Sequence, residues 1–158
     1  MNSELRTRVL DVYAEVDAAI AAASPRCDAS GRCCRFTEYG HSLFLSQFEA
    51  EILLDTAPPF AKPVTRDGCP FQVENLCTAR DERPLGCRVY FCDPNFQEPQ
   101  FTITEAAIAK LKRLADEFDA GWRYAPLHVF LNDSARPQDS NGSNADAPPP
   151  SRISLPVV

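Results

Sequence analysis

This sequence predicts a mostly α-helical, small single domain of about three helices around an irregular, cysteine-rich loop region, with a short hairpin. Three observations carry that reading. Apolar residues recur at spacings of three and four in three separate segments. The stretch between the second and third segments is punctuated by proline and glycine and lacks such a period. All seven cysteines fall between residues 27 and 92.

The first segment places Leu5, Val9, Val12, Val16 and Ile20 on one face, with Tyr13 beside them. Ser24-Pro25 ends it, because proline disfavours helical geometry in the residue before it. A second helix starts at Ser46, where "SQFE" is a capping-box pattern pairing Ser46 with Glu49. Phe48, Ile52 and Leu53 supply its buried face, and Pro58-Pro59 closes it. The third helix covers roughly residues 103–119, with Thr102 or Thr104 as cap and Ala107, Ile108, Leu111, Leu114 and Phe118 on one side. Gly121 is its C-terminal stop. Between these helices "CPFQVENLCTA" suits a tight hairpin with Asn75 left-handed at the bend. "RPLG", Arg83 to Gly86, suits a type I turn. The domain is read as residues 1–132. Residues 133–158 read as a disordered tail, too poor in apolar surface to offset the entropy of ordering.

Composition narrows the function. A chain of 158 residues with 44% apolar content supports one core. A net charge of −6 argues against nucleic acid and against an anionic membrane surface as partners. No apolar run approaches the roughly 18–20 residues of a membrane span. The start of the sequence lacks a compact apolar segment, so the expected location is cytoplasmic. In that compartment thiols stay reduced, and cysteine richness points to metal binding or redox chemistry.

The candidate metal ligands are Cys27, Cys33, Cys34, Cys69, Cys77, Cys87 and Cys92. One metal lets several neighbouring thiols ionise together, which mutual repulsion otherwise prevents. Arg26, Arg32 and Arg35 accompany the early cysteines, and Arg66, Arg80, Arg83 and Arg88 the later ones. Their charge suits a thiolate-bound metal or cluster, although arginines in loops are equally often only solvated. The gaps are five residues, zero, thirty-four, seven, nine and four. They include neither the Cys-x-x-Cys knuckle of zinc ribbons nor the ferredoxin run. Adjacent side chains in extended backbone point apart, so Cys33 and Cys34 are not expected to share one ion.

In combination, "CDASGRCC", "CPF" at Cys69, Cys77 and "RPLGCRVYFC" resemble the YkgJ-like cysteine-cluster family. Those proteins are described as zinc- or iron-chelating and are marked by a CxxCxxCC motif. The resemblance spans residues 27–92 and implies binding of zinc or iron and little more. Ser30 stands where the family pattern has its second cysteine. Three explanations stay open. The position is structural; the site is completed by Asp28, His41 or water; or one of two sites is lost.

The leading expectation is a soluble protein chelating zinc or iron, an iron–sulfur cluster being favoured because zinc knuckles are absent. If four cysteines suffice, they are Cys69, Cys87 and Cys92 with Cys33 or Cys34. The alternatives are an iron–sulfur or open-site metal enzyme in redox or group-transfer chemistry, and a protein-interaction module with a purely structural zinc. A protein partner stays open. His128 reads as a packed core residue, and Tyr39, Tyr90, Phe91 and Phe96 as packing around the site. Glu49 reads as a cap, and Arg88 as a donor tuning the sulfur of Cys87.

Overall fold

The structure is a computed structural model and describes residues 1–135. Among the described residues the chain is mainly helical, as expected, but with five α-helices rather than three, and with two small antiparallel strand pairs. In chain order the elements are α1 (Ser3–Ala23), β1 (Phe44–Ser46), α2 (Gln47–Thr56), β2 (Gln72–Val73), β3 (Leu76–Cys77), α3 (Leu85–Val89), α4 (Gln97–Glu117), β4 (Tyr124–Pro126) and α5 (Leu127–Asp133).

Helix α1 buries Leu5, Val9, Val12, Tyr13 and Val16, the predicted face. Asn2 caps its start by accepting from the Leu5 amide, and Ser24 closes it in a left-handed conformation. Helix α2 begins behind the predicted capping box, complete in both directions. Its two faces serve different cores. Phe48 and Ile52 join α1, α3 and α4 in one cluster around Val9 and Leu111. Ala50 and Leu53 join a second cluster with Phe36, Leu43, Leu45, Phe71, Leu127 and Leu131. Cys69, Cys77 and Cys87 pack against that second core.

Four local expectations need correction. Helix α4 starts at Gln97, six residues before the predicted start, and neither Thr102 nor Thr104 caps it. The Thr104 hydroxyl donates instead to the Gln100 carbonyl one turn back, a pattern open to threonine inside a helix. "RPLG" is the entry to α3: the Pro84 carbonyl accepts from both Cys87 and Arg88 amides, which makes it a helical first turn. In the hairpin β2 pairs with β3 as Gln72↔Cys77 and Val73↔Leu76, but the positive φ falls on Glu74 rather than Asn75. Finally, α5 continues through Asp133, so that residue is helical rather than part of a tail. From residue 136 onward the expected disordered tail lies outside the described residues.

The pair β1–β4, in register Phe44↔Pro126 to Ser46↔Tyr124, ties the two halves of the chain together. It sets α2 and α5 side by side, so Leu53 and Leu127 meet beneath the cysteine loops. Among the described residues no helix is long and apolar enough to cross a membrane.

Candidate functional site

All seven cysteines line a single cavity of about 250 Å³. Its floor is the second hydrophobic core, through Leu43, Leu53, Phe71 and Leu127. The cysteines reach it from three directions: Cys27, Cys33 and Cys34 from the loop after α1, Cys69 and Cys77 from the hairpin region, and Cys87 and Cys92 from α3 and the segment beyond it. None is in a disulfide.

The loop after α1 is held onto the hairpin by specific contacts. The Gln72 side-chain amide donates to the Gly31 carbonyl at 2.9 Å. Arg35 donates to the Ser30 carbonyl at 3.1 Å and to Asn75 Oδ1 at 2.6 Å. Gly31 has φ +71°, and a Cβ there would lie 2.3 Å from Gln72 Nε2, so glycine alone permits this approach. The Cys69 amide donates to the Cys34 carbonyl at 2.8 Å, drawing hairpin and loop together at two cysteines.

Cys33 and Cys34 do not diverge. Residues Arg32–Cys34 form a 3-10 turn rather than extended backbone, and the two sulfurs are 3.9 Å apart. That separation is close to the roughly 3.8 Å between thiolates bound tetrahedrally to one zinc at about 2.3 Å. Ser30 also belongs to the cavity wall, with its Oγ 3.6 Å from Cys92 Sγ. The serine thus stands beside a cysteine.

Cys33, Cys34 and Cys87 are held in their neutral form. Contact with Cys34 pushes the Cys33 thiol far above its ordinary range, with burial adding to it. Cys34 is helped to ionise by Cys33, yet its contact with Cys69 and its burial outweigh that and push it up to about 12. Burial, then the neighbouring cysteines 34, 77 and 33, raise Cys87 strongly. Arg83 opposes the rise at both Cys33 and Cys87. Ionising several of these groups together therefore requires a cation among them.

Other predicted residues fall elsewhere. His41 stacks on Tyr90 with ring centres 4.7 Å apart, and its Nε2 lies 3.4 Å from the Cys33 carbonyl oxygen. It braces the cysteine backbone and does not line the cavity. Asp28 pairs with Arg26 at 3.1 Å. His128 is half-buried on the wall of a second pocket with Phe44 and Arg66, not in a core. Tyr90 and Phe91 line the cysteine cavity, whereas Phe96 packs edge-on against Phe91 and Tyr39 lies under Arg32.

Arg88 faces away from the sulfurs. Its guanidinium donates to the Arg83 and Asp81 carbonyls at 2.8 and 3.0 Å and to Asp17 at 2.6 Å, over the Tyr13 ring. It clamps α3 to α1, and Arg83 takes the place near the thiols that was expected of Arg88. Glu49 does more than cap its own helix. Its carboxylate accepts from the Ser46 amide at 2.8 Å, the Ser46 hydroxyl at 2.9 Å and the Leu85 amide at 2.7 Å. Pro84 brings no side-chain cap to α3, so Glu49 serves as that cap from a distance and fixes the helix that carries Cys87.

Among the described residues, no group of three or more His, Cys, Asp or Glu donors is close enough to hold one metal ion as placed. The donor chemistry of the wall nevertheless suits a thiophilic metal: seven sulfurs, with no carboxylate lining the same cavity. No family model, curated protein or solved structure matches the chain.

Proposed function

We propose that the protein binds iron, as an iron–sulfur cluster, or zinc through the thiols of this cavity. The observation that carries the reading is the gathering of all seven cysteines onto one cavity wall, from three chain segments as far apart as residues 27 and 92. The motif resemblance to the YkgJ-like cysteine-cluster family points the same way.

The residues that would hold the group are Cys33, Cys34 and Cys87, with Cys69 and Cys77, which oppose the ionisation of Cys34, and Cys92 on the Ser30 side. Cys27 is exposed at the margin and is the least enclosed of the seven. A cluster supports the wider sulfur spacing better than a single ion does, because its inorganic sulfides and several irons spread the thiolates apart. When bound, such a group supplies redox chemistry or a structural staple. The protein's own contribution is an apolar floor, the Cys33, Cys34 and Cys87 thiols held neutral until binding deprotonates them, and the Arg83 charge beside them. A reducing, cytoplasmic setting suits the free thiols.

The test is metal and acid-labile sulfide content on protein purified without oxygen, with a visible spectrum of the same sample. Iron with matching sulfide and a broad visible absorption establishes the cluster. Stoichiometric zinc in a colourless sample establishes the zinc form and turns attention to a stapled scaffold. Neither metal, with the thiols free or oxidised, refutes the proposal.

A further inference from the structure

The cysteine cavity has a second chemical character beside its thiols. Arg32, Arg80 and Arg83 line it together with the thiols. Outside the cavity, Arg6, Arg8, Arg26, Arg35, Arg88 and Arg123 each meet a carboxylate, while Arg66 and Arg113 do not among the described residues. Among the described residues Arg32, Arg80 and Arg83 have no such partner, although the chain carries 22 acidic residues against 16 basic ones. Three arginines thus line a cavity that no carboxylate lines, and its floor is Leu43, Leu53, Phe71 and Leu127.

We propose that this cavity also receives a small organic anion, its carboxylate or phosphate head on Arg80 and Arg83 and its apolar body on Leu43, Leu53, Phe71 and Leu127. Guanidinium donors bind both head groups through charge-assisted hydrogen bonds, and a low-dielectric floor strengthens them. At about 250 Å³ the cavity lies below the roughly 300–1,000 Å³ of pockets for drug-sized ligands, which selects a body of only a few carbons. The inference goes beyond metal binding and places the anion beside the thiol wall, as a ligand or substrate next to the metal centre.

Calorimetric titration of the full chain with hexanoate, hexyl phosphate and hexanol, metal-free and metal-loaded, decides it. The expected result is that one or both anions bind and hexanol does not, with the preference between hexanoate and hexyl phosphate naming the head group. Arg83→Gln should weaken binding at least about tenfold, the loss of one charge-assisted hydrogen bond. Arg80→Gln should do so as well. It is the safer variant for folding, since the Arg80 side chain is exposed and the carbonyl that accepts from Arg83 at 3.1 Å is untouched. Equal binding of hexanol, no binding by either anion, or unchanged affinity in both arginine variants would overturn it. So would binding by the metal-free chain that metal loading abolishes, which would leave the arginines as counter-charge to the metal alone. If no metal loads, the metal content reports that failure by itself and the metal-free titration still decides this proposal.

Discussion

Replacing Glu49 is the sharpest test of how the fold positions its cysteines. The residue is 1% exposed, and its carboxylate answers two buried backbone amides, Ser46 and Leu85, and one hydroxyl. In Glu49→Ala both amides lose their partner. Each orphaned donor costs about 1–3 kcal/mol, and relief from burying a charge offsets part of the sum, leaving about 2–4 kcal/mol. Against a domain stability of about 5–15 kcal/mol that is a large fraction. Glu49→Gln keeps the shape and one acceptor but turns an NH₂ toward a donor, for about 1–3 kcal/mol. A pH signature separates the charge from the shape. Burial holds the Glu49 carboxyl above its usual range. The native state therefore keeps a proton there that the unfolded chain has released, and stability falls as pH rises across that interval. The advantage of wild type over Glu49→Gln should be greatest below about pH 4, the ordinary range of glutamate, and shrink as pH rises through the elevated value. Urea unfolding of the metal-free chain at a series of pH values measures both quantities. A Glu49→Ala variant within about 1 kcal/mol of wild type, or an advantage that grows with pH, would refute the reasoning.

Substitutions at two further positions probe neighbouring parts of the account. Arg88→Ala removes three hydrogen bonds and the stacking on Tyr13, and should cost about 2–4 kcal/mol in urea unfolding; most of it comes from the two carbonyls, because Asp17 is half exposed. Arg88→Lys should recover less than half of that loss, since an ammonium cannot span the same fork of acceptors. Ser30→Cys puts a thiol next to Cys92 and should raise metal retention several-fold in competition with a chelator; equal or poorer retention would show that position 30 does not reach the metal.

The long amphipathic helices were legible because many turns repeat the same apolar spacing: α1 buries its predicted residues, and the Ser46–Glu49 box stands as expected. Shorter and non-local features were not. Helix α3 has five residues, too few for a period, and proline opens both a type I turn and a helix. The α5 signal was present in Leu127, Phe130 and Leu131 at positions i, i+3 and i+4, just after Pro126, but only seven residues long. Pairing of β1 with β4 joins residues about eighty positions apart and leaves no local trace. At the site, the gathering of cysteines was readable from their types and numbers. The relation of Cys33 to Cys34 was not, because a 3-10 turn at a glycine with positive φ overrode the extended geometry assumed for adjacent residues. Nor could spacing reveal that Arg88 turns to Asp17 while Arg83 faces the sulfurs.

The most direct test of the central claim is X-ray absorption at the edge of whichever metal the full chain retains. The account predicts a first shell made of sulfur alone, at about 2.3 Å for either zinc or a cluster iron, with a metal–metal distance added if a cluster is present. A shell containing nitrogen or oxygen donors from His41, Asp28 or solvent in place of sulfur, or a chain that retains no metal, would contradict it.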